Sequence, residues 1–174
     1  FVLFALCGFM HLDGFMDCCD AIMSRKPLEI KQQILKDSHC GAFSVVSLVF
    51  MILAYYSCVS TAISTSVNFM ELCLIPVLSR AVAGANILLR KPIGHSQYAS
   101  GAGAEDTAHK KKACLLILAQ VIIFSALGLF LSSNFVATLL VILATALGTY
   151  LATVYGKRQL GGMSGDIAGF SIVW

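Results

Sequence analysis

No Asp, Glu, Lys or Arg occurs from Gly41 to Met70, nor from Ala113 to Gly156. A bilayer core about 30 Å thick is crossed by about 20 apolar residues of helix. The first stretch is therefore long enough for one span, and the second for two, with Ser132, Ser133 and Asn134 as the turn between them. Composition agrees: 58% of the residues are hydrophobic, 12% are charged and the mean hydropathy is +0.85, whereas a soluble domain carries about a quarter charged residues. This argues against a soluble enzyme. The fold class that follows is all-α, a polytopic integral membrane helix bundle with about five to six transmembrane helices.

The chain opens at Phe1 and stops at Trp174 inside apolar runs. It therefore reads as a single membrane-embedded catalytic domain, residues 1–174, truncated at both ends. The basic flank and small-residue cleavage site of a secretory signal are missing, so Phe1 to Met10 reads as the tail of a span. The seven cysteines form no Cys-x-x-Cys pair and give neither disulfide nor zinc spacing. They are expected to be packing residues.

The expected spans are a first ending near Leu12, a second from about Gly41 to Ala62, a third from about Asn68 to Leu89, a fourth from Ala113 and a fifth ending near Gly156, with a sixth beginning near Ile167. Three charged segments separate them, Ser24 to Cys40, Arg90 to Lys112 and Lys157 to Asp166, as do two uncharged links, Ile63 to Val67 and Ser132 to Asn134. Strict alternation puts the charged segments on one side. They hold every Lys and Arg except Arg80, so the positive-inside rule makes that side cytoplasmic and the protein a multi-pass cell (inner) membrane protein. The net charge of +3 reflects this loop orientation and supports no nucleic-acid partner. Within Arg90 to Lys112, the Ser-Gly-Ala-Gly-Ala run at 100–104 reads as a flexible loop and Lys110 to Lys112 as a basic anchor. Pro27 can open a short interfacial helix running to about Lys36.

The stretch most suggestive of chemistry is His11-Leu12-Asp13-Gly14-Phe15-Met16-Asp17-Cys18-Cys19-Asp20. Asp13, Asp17 and Asp20, at i, i+4 and i+7, share one helical face. Carboxylates stacked this closely beside a membrane repel one another unless cations neutralise them, and Mg²⁺ accepts carboxylate oxygens while keeping positions for water and substrate phosphates. The alternative is a solvated acidic helix end, or acids paired with Arg25, Lys26 and Lys31. His11 lies roughly opposite the acids and does not join them. A second motif, Lys36-Asp37-Ser38-His39-Cys40-Gly41, precedes the second span. There Asp37 either completes a metal shell or orients a hydroxyl, or else Asp37 or Ser38 caps the helix. A third, Gly161-Gly162-Met163-Ser164-Gly165-Asp166, lets backbone amides and a helix N-terminus face an anion, with Asp166 holding a metal that bridges to it; the alternative is a flexible turn.

Arg80 is the one Lys or Arg inside an expected span and needs a partner or an aqueous cavity. Either it reaches the acids or a substrate diphosphate, which guanidinium suits, or it forms an interhelical ion pair. His39, His95 and His109 read as loop or boundary residues, with His95 a weaker candidate for substrate contact. Together these features suggest phosphoryl transfer between a diphosphate-activated donor and an alcohol, with metal neutralising the diphosphate and a carboxylate taking the proton of the attacking hydroxyl.

The run His11 to Asp20, Lys-Asp-Ser-His-Cys-Gly-Ala-Phe from Lys36 to Phe43, Leu-Ser-Arg from Leu78 to Arg80, and Gly-Gly-Met-Ser-Gly-Asp from Gly161 to Asp166 together closely resemble the cobalamin synthase family, also called adenosylcobinamide-GDP ribazoletransferase. The resemblance implies a membrane enzyme completing the nucleotide loop of vitamin B12. Such an enzyme joins adenosylcobinamide-GDP to α-ribazole, or to its 5′-phosphate, and releases GMP in an Mg²⁺-dependent reaction. The chemistry of the motifs then assigns Asp13, Asp17 and Asp20 to the metal and diphosphate site. Asp37 lies beside it as a further catalytic acid and Asp166 as a further metal ligand. Arg80, Ser38, Gly161, Gly162, Ser164 and Gly165 become substrate contacts. Membrane lipid is the expected surrounding, and self-association or association with other enzymes of the pathway stays open. Departures are mild: Ala21 stands where many members have Gly, Cys18 and Cys19 replace small residues, and Ser164 replaces a common Thr.

Two other readings compete. The acid spacing is also similar to that of CDP-alcohol phosphotransferases of phospholipid synthesis, but Asp17 follows Asp13 too soon and their Ala-Arg pair is missing. An ion-coupled transporter would use Glu71 and Arg80 within a span as its pathway residues.

Overall fold

The computed structural model describes residues 2–65, 67–93, 107–132 and 134–174. His95, the Ser-Gly-Ala-Gly-Ala stretch and Ser133 lie outside the described residues. The described chain forms eight helices: α1 Val2–Leu6, α2 Met10–Met23, α3 Leu28–Ile34, α4 Ala42–Ser64, α5 Phe69–Leu89, α6 Thr107–Leu131, α7 Phe135–Leu160 and α8 Gly165–Val173. Four of these, α4, α5, α6 and α7, are long and apolar enough to cross a membrane. The all-α polytopic bundle expected from the uncharged stretches is thus what the chain forms.

Most of the apolar surface of these four helices is left outside the protein. Phe50, Leu116 and Phe130 are 69%, 71% and 85% exposed, which in water would be a large uncompensated cost and in hydrocarbon is none. The buried core is gathered instead around α2 and α8, where Phe15, Cys18, Ala21, Ile167, Phe170 and Val173 pack together. Cys18 and Cys19 are core residues, as expected of packing cysteines, while Cys40 and Cys58 are exposed; all seven are free.

One expected boundary moves. The first span was expected to run to Leu12, but α1 ends at Leu6 and the chain turns through Gly8 and Phe9, both left-handed with φ near 60°. The Phe9 amide donates to the Phe4 carbonyl (2.9 Å), closing the end of α1, and the Phe9 carbonyl accepts from Leu12 and Asp13, opening α2. The acidic motif therefore lies on a helix of its own, not at the frayed end of a span. Glycine at position 8 makes this possible, because it takes the left-handed conformation without steric cost.

The two ends of the bundle differ in character. At the uncharged end, Asn68 and Asn134 cap α5 and α7 by accepting from the Met70 and Ala137 amides. Glu71, buried in the first turn of α5, accepts from Thr138 Oγ1 at 3.0 Å and from Ser132 Oγ at 3.4 Å. That carboxylate ties α5 to the α6–α7 turn, which is a structural use rather than the transport pathway weighed from the sequence. At the other end the charged segments meet. Lys31 Nζ of α3 donates to Gln159 Oε1 of α7 (2.7 Å), Gln32 Nε2 donates to the Leu160 carbonyl (2.8 Å), and Lys91 to Ile93 pair with Met163 through two backbone hydrogen bonds.

The tightest helix pair is α2 with α8. A Cβ on Gly14 would lie 2.7 Å from the Asp166 Cα, and one on Gly169 would lie 2.8 Å from the His11 carbonyl oxygen. Both obstacles are backbone, so neither can move aside cheaply. Gly14→Ala is accordingly expected to lower stability by about 1–3 kcal/mol, the usual cost of overpacking. Gly148→Ala, where nothing lies within 4 Å, is expected to leave stability unchanged or slightly raised. Thermal melting of the two variants in one detergent checks this, and equal melting points would contradict the close crossing.

Candidate active site

The α2–α8 crossing brings the acids together. Asp13, Asp17 and Asp20 run along one face of α2, and the Gly14 contact sets the start of α8, with Asp166 in its first turn, against that helix. Burial, followed by the negative charges of Asp13, Asp166 and Asp20, pushes Asp17 up to about 7. A carboxyl held there is destabilised as an anion by its own neighbours. Four acids from two motifs far apart in sequence therefore share one electrostatic site.

Asp20 also has a second attachment. Its carboxylate accepts from the Gly41 amide (2.7 Å) and the Ser44 amide (3.0 Å), which are otherwise unsatisfied donors at the start of α4. A Cβ at Gly41 would fall within 2.5–2.6 Å of that carboxylate. The cap weighed for Asp37 or Ser38 is thus supplied by Asp20, twenty-one residues earlier in the chain. Asp37 and Ser38 sit in the exposed connection before α4. Asp37 Oδ1 accepts from the His39 amide and lies 2.6 Å from His39 Nδ1. That contact raises His39 above the ordinary histidine range and lowers Asp37.

The glycine motif is a clamped turn and not a loose one. Gly161 is left-handed (φ 84°), and its amide donates to the Lys157 carbonyl, closing α7. Gly162 lies against Ile93, where a Cβ would come within 2.8 Å of a side-chain carbon and 3.0 Å of the backbone nitrogen. Met163 exchanges backbone hydrogen bonds with Lys91 and Ile93. The amides of Gly161 and Met163 are therefore committed inside the protein. Ser164, buried, caps α8 by accepting from the Ile167 amide (3.3 Å) and lies 3.2 Å from Asp166 Oδ2. Gly165 opens α8 beside it.

Arg80 comes from α5. Its Nη1 donates to the Pro76 carbonyl (3.2 Å) and its Nη2 lies 3.9 Å from Cys7 Sγ. Among the described residues it forms no ion pair, so neither the link to the acids nor the interhelical pair weighed from the sequence is made. The structure thus gathers Asp13, Asp17, Asp20, Asp166, Ser164 and Gly165, leaves Asp37 and Ser38 in the exposed connection, and pairs Arg80 with none of the acids among the described residues. What the sequence reading missed is the role of Gly14, Gly41 and Gly169 as contact points. Their signal was present as glycines within or beside the acidic and glycine motifs, but no partner was visible.

The model of the cobalamin-5-phosphate synthase family matches residues 1–174, the whole chain. The chain belongs to the cobalamin-5-phosphate synthase family. It is 38% identical over 175 residues to the adenosylcobinamide-GDP ribazoletransferase of Clostridium perfringens strain 13, an alignment covering 99% of this chain and 66% of that protein. The protein of the same name from strain SM101 is 37% identical with the same coverage. That of Clostridium botulinum strain Alaska E43 is 33% identical, covering 98% of this chain and 66% of the relative. The chain thus spans just under two-thirds of these family members. No solved structure matches it significantly.

Two measurements follow for this family member. Asp20→Ala, which removes the α4 cap, is expected to cost about 1–2 kcal/mol of stability, while Asp20→Asn, which keeps one acceptor oxygen and sets a donor NH2 against the other amide, recovers only part of it; an Asp20→Ala variant as stable as the parent in denaturant unfolding would contradict the capping role. His39 is expected to hold its proton to higher pH than a free histidine and to fall back towards the ordinary value in Asp37→Asn. Titration followed by NMR of the imidazole reads this directly, and an unchanged midpoint would contradict the contact.

Proposed function

We propose that this chain is the membrane-embedded catalytic core of an enzyme that joins adenosylcobinamide-GDP to α-ribazole, or to α-ribazole 5′-phosphate, and releases GMP. The observation that carries the reading is the convergence of Asp166 with Asp13, Asp17 and Asp20 in a chain of the cobalamin-5-phosphate synthase family. The charged end, which holds this cluster, would face the cytoplasm by the positive-inside rule.

The donor set suits Mg²⁺. Every candidate ligand is a hard carboxylate oxygen, and Asp17 is raised first by burial and then by like charges, which a cation would relieve. Among the described residues no group of three or more His, Cys, Asp or Glu is placed to hold a metal ion by itself, so water and substrate phosphates would have to supply the rest of its shell. This fits a cation that is characteristically bound by one or two carboxylates and completed by water and substrate phosphates. Asp17 and Asp166 would hold it, with Asp13 beside them and Asp20 fixing the α4 end. When bound, it would neutralise the diphosphate and the charge developing on the leaving GMP.

In the reaction, the hydroxyl oxygen of α-ribazole attacks the phosphorus nearer the corrinoid. A new P–O bond forms, the bond to the bridging oxygen breaks, and that oxygen leaves on GMP. The proton of the attacking hydroxyl passes to a carboxylate of the α2 cluster. Ser164 and the first turn of α8 orient Asp166, while Gly14 and Gly169 hold the two helices at the separation this needs.

The test uses the full-length protein in liposomes with adenosylcobinamide-GDP and α-ribazole. GMP release is expected to require Mg²⁺, to stop on chelation, and to fall by about 100-fold or more in Asp17→Asn, the size of effect that follows loss of one electrostatic group in an active site. A folded, metal-binding protein that releases no GMP would contradict the reading, and full activity of Asp17→Asn would contradict the assigned site.

A further inference from the structure

Lys31 is only 9% exposed, yet among the described residues its ammonium has a neutral partner, Gln159 Oε1, and no carboxylate. A lysine this buried is ordinarily paired with an anion, because an uncompensated ammonium is costly to remove from water. It lines a cavity of about 750 Å³ together with Ser24, Arg25, Phe43, Tyr155 and Gln159, and among the described residues no Asp or Glu contributes to that lining. Arg25 is one of two non-glycine residues in the described chain with a left-handed backbone (φ 54°). Strain of that kind is retained where the surroundings require the side chain in one place.

This cavity does not stop at the charged surface. Through Ile22, Met23 and Tyr155 it adjoins a second one of about 840 Å³, walled by apolar groups such as Phe15, Phe50, Met51, Phe170 and Trp174. The second cavity runs along α4, whose Val46 and Phe50 are exposed on the apolar belt of the bundle. Both lie on the side of α2 carrying Phe15, Cys19 and Ile22, about half a turn round the helix from Asp13, Asp17 and Asp20. Two cations therefore stand at the polar end of a channel whose other end is hydrocarbon-like.

We propose that this pair of cavities binds one anionic phospholipid, its headgroup phosphate at Lys31 and Arg25 and an acyl chain between α2, α4, α7 and α8. A lipid fits better than free phosphate or a nucleotide, since only an amphiphile occupies both halves. The depth is also right, with the cations at the charged end of the bundle and the apolar cavity among the spans.

The test uses full-length protein purified in detergent and native mass spectrometry with added dioleoylphosphatidylglycerol or dioleoylphosphatidylcholine. Parallel melting curves include those lipids, inorganic phosphate and GDP. One phosphatidylglycerol is expected to stay bound and to raise the melting temperature, as any ligand selective for the folded state does, while phosphatidylcholine, phosphate and GDP do neither. Lys31→Met is expected to weaken phosphatidylglycerol binding about tenfold or more, the worth of a hydrogen bond to a charged group. Ala54→Trp, which fills the apolar cavity from α4 and touches no charge, should weaken it as well. If Lys31→Met fails to fold, Arg25→Asn, which tolerates the left-handed backbone, is expected to give the same loss. The proposal is overturned if a folded Lys31→Met or Arg25→Asn protein keeps its phosphatidylglycerol, or if both lipids bind alike. It is equally overturned if phosphate or GDP stabilises as much as the lipid, or if no lipid is retained because another part of the full-length chain fills the cavity.

Discussion

The charged end of the protein depends on how closely two short helices approach. Where Gly14 of α2 meets the backbone of Asp166, and Gly169 of α8 meets that of His11, no room is left for a β-carbon. Inside a membrane, burying apolar surface between helices gains little, because lipid is as apolar as the side chains; small residues that let backbones touch supply the attraction instead. The stacked rings of Phe15 and Phe170, 5.9 Å apart, extend the same contact. The core of the protein is built on this crossing, and the long helices around it turn most of their apolar surface outward.

The crossing has an electrostatic consequence. It brings Asp166 towards the three carboxylates of α2, and burial, followed by the charges of Asp13, Asp166 and Asp20, raises Asp17. The fold tolerates this because part of the charge is used locally. Asp20 satisfies two amides at the start of α4, an interaction favoured by the helix dipole as well as by the hydrogen bonds. Such an arrangement holds α2, α4 and α8 in register. Lys31 is a counterpart at the same end, a buried cation whose partner among the described residues is the neutral Gln159.

Much of this was legible in the chain. Absence of charge over Gly41 to Met70 and Ala113 to Gly156 dictates long helices, and the i, i+4, i+7 acids dictate a shared face. The end of α6 at Leu131, the start of α7 at Phe135 and the start of α8 at Gly165 also fall close to where composition puts them. Periodicity says which residues share a helix, however, and not which helix lies opposite. The cap of α4 by Asp20 is a contact between segments, so local capping rules pointed to Asp37 and Ser38 instead. Gly162 looked like slack in a turn because its partner, Ile93, is distant in sequence. The break at Gly8 and Phe9 was hidden inside an apolar run where nothing but a single glycine marks it. Lys31 was weighed as a partner for the α2 acids, but α3 docks on the end of α7 and Lys31 donates to Gln159 there instead.

The central claim is that acids from α2 and α8 act as one cation site. The most direct measurement is Mn²⁺ binding to the full-length protein, followed by electron paramagnetic resonance, in a double-mutant cycle of Asp17→Asn and Asp166→Asn. If the two carboxylates serve one ion, each single variant weakens binding and the double variant loses clearly less than the sum of the two, which is the signature of coupled groups. Losses that add independently, or Mn²⁺ affinity unchanged in either single variant, would contradict it.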